Sequence, residues 1–204
     1  MAPVIIAALM AISAARAAAV NPLAGTDLVI AARAQVGVTT HYDPAYRKMA
    51  YPNGDVDRDR GVCSDVVVRA LRVARHFDLQ RAVHEDVEAH WKDYPREWRW
   101  LSFSPDSNID HRRVPNLMSY FARQGWSVAI SRSGSDYLAG DIVAWRLHGE
   151  VLHIGVVSDR RRDDSVPLVI HNIGQGTKEE DVLFQFQIIG HYRVAGRAVT
   201  GSLH

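Results

Sequence analysis

Apolar positions along this chain keep one period in its first half and another in its second. Residues 27–36 read as a helix opened by Thr26 and ended by Gly37. Val62, Val66, Val67, Ala70, Leu71 and Ala74 recur at helical spacing and predict a second helix starting near Cys63. Leu79, Val83, Val87 and Trp91 form one stripe along a third, residues 78–91, and residues 116–123, closed by Gly125, make a fourth. Residues 38–60, with Asp43-Pro44 and Tyr51-Pro52-Asn53-Gly54, carry turn chemistry and read as loop. Residues 94–115 read as an aromatic and polar loop holding Trp98, Trp100 and Phe103. After Gly125 the period shortens. Residues 126–130, 141–145, 151–157, 168–172 and 190–194 are short β-rich runs between Gly, Ser and Asp turns. Helices first and strands second predict an α+β fold, an antiparallel sheet with helices packed on one side.

Composition narrows the function. The 204 residues are 47% hydrophobic and 23% charged, which suits one soluble globular core. Basic residues number 24 and acidic 23, so no charge excess favours nucleic acid as a partner. Arg160-Arg161-Arg162 reads as a solvated loop.

The N-terminus departs from this picture. Residues 3–15 are apolar or small except Ser13, and no acid precedes Asp27. Ala15-Arg16-Ala17 and Ala17-Ala18-Ala19 both offer the small-x-small pattern of a signal-peptidase site, and the run is too short for a membrane span. The expectation is a signal peptide over residues 1–19 and one domain over 20–200, exported to the periplasm or beyond and working as a monomer. No Lys or Arg lies between Met1 and the apolar run, which is atypical for such a signal.

Cys63 is the only cysteine, so no internal disulfide can form. It stands where a loop turns into a helix. Unpaired N–H groups and the helix dipole there favour a thiolate and can hold an oxyanion. Asp65 follows in the first turn, where a carboxylate caps the helix or faces outward. A cysteine nucleophile needs a base, and the base an orienting partner. His153 and His171 each lie inside an apolar β run and must find polar partners there. Asn172 competes with His171 for the orienting role, because neighbours on a strand face opposite sides.

Leu138-Ala139-Gly140-Asp141-Ile142-Val143-Ala144-Trp145 followed by His153-Ile154-Gly155-Val156-Val157 resembles the PGD…W…HVGI block of NlpC-type, papain-like peptidoglycan peptidases. Gly61-Val62-Cys63-Ser64-Asp65, Asn108-Ile109-Asp110-His111-Arg112-Arg113 and Val169-Ile170-His171-Asn172 are similar to a domain-of-unknown-function family of exported bacterial proteins in that superfamily. The resemblance spans residues 38–194. It implies Cys63 as nucleophile, His153 as base and His171 as orienting group, with no cofactor. The implied reaction is hydrolysis of amide bonds in cell-wall stem peptides through an acyl-enzyme. Acyl transfer or lipid-amide hydrolysis on the same triad, and a non-catalytic wall-binding module, are the rivals. Three positions depart from the common pattern: Val62 for Asp, Asp65 for Gly and Ala139 for Pro.

Asp65, Asp110, His111 and Arg112 are candidate substrate-binding residues, the arginine as a fork for peptide carboxylates and Asp65 for an amine-bearing group. Metal readings fail on spacing. His84-Glu85 precedes His90 two positions too late for a zinc-protease helix, and Asp55, Asp57 and Asp59 are followed by Arg60 and Val66 where a calcium loop needs Gly and Glu.

Overall fold

The computed structural model describes residues 25–95, 104–162 and 165–194. The expected signal peptide and Trp98, Trp100 and Phe103 lie outside the described residues. Among the described residues four α-helices precede the main sheet: α1 (Thr26–Arg33), α2 (Cys63–Arg75), α3 (Leu79–Ala89) and α4 (Val114–Arg123). Between α1 and α2, β1 (His41–Tyr42) pairs in parallel with β2 (Arg60–Gly61), inside the stretch expected to be loop. The sheet is built from β3 (Ile142–Arg146), β4 (Leu152–Arg161), β5 (Pro167–Asn172), β6 (Thr177–Glu180) and β7 (Gln187–Tyr192). Its order is β6-β5-β4-β3-β7 and every pairing is antiparallel. The chain is α+β, as the change of period implies.

Several boundaries move for local reasons. Gly25, not Thr26, occupies the N-cap of α1, and the helix stops at Arg33, before the positive-φ Gly37. Asp78 caps α3 by accepting from the Arg81 N–H. Pro115 sits in the first turn of α4, where its missing N–H costs nothing. Residues 126–130 form no strand of the sheet. Ser127 makes an isolated bridge to Tyr192, and Val128 donates to the His191 carbonyl. Arg160 and Arg161 end β4, where Arg160 pairs with Glu179 and Arg161 donates to carbonyls of Gly134, Ser165 and Tyr137.

Alternation along the strands divides the core between the two faces of the sheet. Ile142, Ala144, Ile154, Val156 and Ile170 face the helices and pack with Leu28, Val67, Leu71, Leu79 and Leu117. Val143, Trp145, Val157 and Val169 face the other way and are covered by Tyr137 and Leu183 from connecting segments.

Candidate active site

α2 opens at Cys63, and Asp65 caps it from the first turn. The Asp65 Oδ2 accepts from the Val62 N–H at 2.7 Å. The same carboxylate takes a fork from Arg112, Nε to Oδ1 at 3.1 Å and Nη2 to Oδ2 at 2.9 Å. Arg112 also donates to the carbonyls of Ala45 and Asp43. One buried ion pair thus ties α2 to the 43–45 loop and to the turn Asp110–Arg112.

The residues expected as substrate contacts are instead buried, and Asp65, Asp110 and Arg112 are spent on partners inside the fold. Asp65, Asp110, His111 and Arg112 are 4%, 1%, 2% and 6% exposed. Asp110 accepts from the Asp106 N–H and stands 2.9 Å from the His84 Nδ1. Burial holds the His111 imidazole at about 3, far below its usual value.

Cys63 is 4% exposed. The N–H groups of Ile154, Ser64 and Cys63 itself are directed at its sulfur and favour a thiolate. Burial outweighs them, and the neighbouring Asp65 charge adds to it, so the thiol is pushed up to about 12. The helix N-terminus was expected to favour the charged form. It does, but desolvation is the larger effect, and the resting sulfur is a neutral thiol.

His153 projects from β4, and its ring stacks on Trp145 with centroids 5.8 Å apart. Its Nε2 lies 2.9 Å from the His171 Nδ1. Burial, and secondarily the charge that His171 would carry if protonated, lower His153 to about 3, so it rests as a neutral imidazole. Asn172 turns to the opposite face, donating to the Gly61 carbonyl at 3.0 Å and accepting from the Gly174 N–H. Of the two contenders it is therefore His171 that meets His153, while Asn172 steadies the loop entering Cys63.

Sulfur and ring lie on opposite sides of the β4 backbone, and among the described residues no hydrogen bond joins them. Cys63 belongs to the helix-side core with Ile154, and His153 to the side of Trp145. The Ile154 N–H, from the residue next to His153, reaches the sulfur. Among the described residues the His153 Nδ1 has no hydrogen-bond partner. Gly155 makes the ring contact sterically possible. A Cβ there would stand 2.8 Å from the Val169 Cγ1 and 3.1 Å from the His171 Cβ.

Sequence reasoning missed Glu180. Its Oε2 lies 3.2 Å from the His171 Nε2, within hydrogen-bonding distance though off the N–H direction. The usable signal was a hairpin: Gly174 and Gly176 follow β5, and a returning strand brings charged residues opposite His171. Among the described residues no group of three or more His, Cys, Asp and Glu side chains is arranged to hold a metal.

The family model described as Domain of unknown function (DUF1287) matches residues 29–194. The chain belongs to this family. The match encloses every site residue described above. The DUF1287 chain is also 56% identical over 172 residues to the uncharacterized protein YijF of Escherichia coli (strain K12), covering 83% of this chain and 82% of that one. Among the described residues of this DUF1287 protein no helix is long and apolar enough to cross a membrane.

Proposed function

We propose that this DUF1287 protein is an exported cysteine hydrolase of the NlpC-type, papain-like kind, acting on amide bonds of cell-wall stem peptides. The observation that carries the reading is the 2.9 Å contact between His153 and His171 on adjacent strands, with the next N–H along β4 aimed at Cys63. The apolar N-terminal run and its small-x-small sites support export.

Since thiol and imidazole both rest neutral, the first step is general-base catalysis rather than attack by a standing thiolate. In the reacting complex the His153 ring turns to the sulfur, and its Nδ1 takes the Cys63 proton as the sulfur bonds to the carbonyl carbon. The Cys63 N–H, one of the unpaired donors at the start of α2, stabilises the oxyanion. Collapse breaks the C–N bond, and His153 returns the proton to the departing amine. Water, deprotonated by the same nitrogen, then splits the thioester, releasing the acid and restoring the thiol. His171 orients the ring.

The burial of Cys63 favours one second reading, a wall-binding module whose thiol is inert. Incubation with purified muropeptides, followed by mass spectrometry, separates the two. The hydrolase splits a stem peptide into two fragments that together gain one water, and Cys63→Ala abolishes this. Muropeptides that are retained but never cut, beside a thiol whose alkylation ignores His153, favour the binding module.

A further inference from the structure

The hydrogen bonds around His153 and His171 constrain where the protons sit. Two neutral imidazoles in contact share one proton between them, and either ring can be the donor. If His171 donates from Nδ1, then His153 accepts at Nε2 and carries its own proton on Nδ1. That nitrogen is then a donor and cannot act as a base. Only the opposite arrangement gives His153 a lone pair at Nδ1. The two rings, both buried and neutral, contain nothing that selects between the arrangements.

Glu180 supplies the selection. It projects from the edge strand β6, whose residue Lys178 is paired with His171, and its carboxylate oxygen stands 3.2 Å from the His171 Nε2. An ionised carboxylate only accepts. The oxygen lies off the N–H direction, yet its negative charge at this distance favours a proton on the nitrogen facing it, which leaves the His171 Nδ1 bare and makes the His153 Nε2 the donor across the 2.9 Å contact. Lys178 is the other charged side chain at this carboxylate, with its Nζ 4.0 Å from the second oxygen, Oε1. It leaves Oε2 to the ring. Unlike Asp65, Glu180 is not committed to a buried arginine, and its side chain is 38% exposed.

We propose that Glu180 is a positioning residue that completes a relay, Glu180–His171–His153, and fixes both rings as the Nε2–H tautomer so that the His153 Nδ1 faces the reaction as a lone pair. It touches neither substrate nor sulfur and acts through His171. The proposal rests on reading His153 as the base of Cys63, but the proton positions can be tested apart from that reading.

Long-range proton–nitrogen correlation spectra of the isotope-labelled full chain report which nitrogen of each ring is protonated. His153→Ala and His171→Gln supply the assignments. The expected wild-type spectrum shows Nε2–H and bare Nδ1 on both rings. In Glu180→Ala the proton on His171 redistributes to Nδ1, and His153 follows. Cys63 alkylation by iodoacetamide at neutral pH slows by about ten- to a hundredfold, by analogy with the loss when partners orienting a metal-bound histidine are removed. Glu180→Gln, whose amide oxygen can still accept, restores part of both signals. A wild-type spectrum with His153 protonated on Nδ1 overturns the relay, and does so without any variant having to fold. An unchanged tautomer in Glu180→Ala overturns it as well. Failure of the hydrolase reading gives a different pattern: the tautomers shift as expected, but alkylation is indifferent to both His153→Ala and Glu180→Ala.

Discussion

The two faces of the sheet bury their side chains by opposite means. On the helix side, Ile142, Ala144, Ile154, Val156 and Ile170 meet apolar helix stripes, and shape alone decides the fit. On the other side the apolar cluster is smaller, and three buried histidines stand beside it. His153 and His171 bond each other, and His191 lies 2.7 Å from Asp141, a carboxylate that also takes a fork from Arg193. The helix face holds the fold together, and loss of a methylene there costs stability. The loop-covered face holds polar groups in fixed geometry, and on the proposed mechanism loss of a group there costs chemistry first. Cys63 reaches the boundary because α2 begins at the sheet, beside Ile154.

The sharpest way to break this comparison is to set one substitution on each face against the other. On the proposed mechanism, His153→Ala lowers the rate of muropeptide cleavage by roughly a thousandfold or more, since a triad without its base retains only binding and the oxyanion donor. Leu71→Ala, wholly buried on the helix face, lowers stability by about 2–5 kcal/mol and leaves the rate per folded molecule near wild type. Urea unfolding beside steady-state rates reads both. Equal losses of rate in the two variants would abolish the division of labour.

The next largest effect is expected at the clamp beneath Cys63. Arg112→Ala leaves the Asp65 carboxylate buried without its fork, which costs about 3–5 kcal/mol. Arg112→Lys recovers only part of this, because an ammonium cannot reproduce the two-point contact. A urea midpoint within error of wild type in Arg112→Ala would mean that water, not the arginine, satisfies Asp65.

Much of this division was legible in the sequence. Helical spacing located α2, α3 and α4, and the alternation of apolar residues located β3, β4 and β5. Cys63 at a helix start and two histidines in apolar strands also followed from pattern, because a polar residue inside such a run stands out. What stayed hidden depended on distance or register. Asp65 and Arg112 are 47 positions apart, and neither has a local signature of a buried ion pair. Thr177-Lys178-Glu179-Glu180 has no apolar alternation, so β6 showed no strand period, and Glu180 went unseen with it. The state of the Cys63 thiol was misjudged because the favourable N–H groups can be read from a helix start, whereas burial cannot. Whether desolvation or hydrogen bonding wins depends on how deeply α2 is seated.

Gly155 links the two faces. Gly155→Ala forces its new methyl against Val169 and the His171 Cβ, which costs about 1–3 kcal/mol by overpacking. It also pushes β5 away from β4, so the His153–His171 contact lengthens. The expected result is a modest fall in the urea midpoint with a larger fall in Cys63 alkylation. A variant that loses stability alone would show that the ring contact has slack.

The remaining test is pH, and each face has its own response. The thiol is pushed up to about 12, so iodoacetamide labelling of Cys63 climbs steadily through pH 9 with no plateau. A plateau below pH 8 would mean that the N–H groups outweigh burial after all. His153 and His111 are both held at about 3, against an ordinary value of 6.5. Below pH 6.5 the unfolded chain takes up protons at these positions while the folded chain refuses them. The unfolded state then binds more protons, so stability falls with falling pH across the window from about 6.5 to about 3 and levels off beneath it. His153→Gln removes one of the two contributions. Its urea midpoint should therefore decline less steeply than wild type between pH 6 and pH 4, by about one proton's share of the slope. Parallel declines would mean that His153 is protonated in the folded protein, a cation that the lone-pair mechanism has no use for.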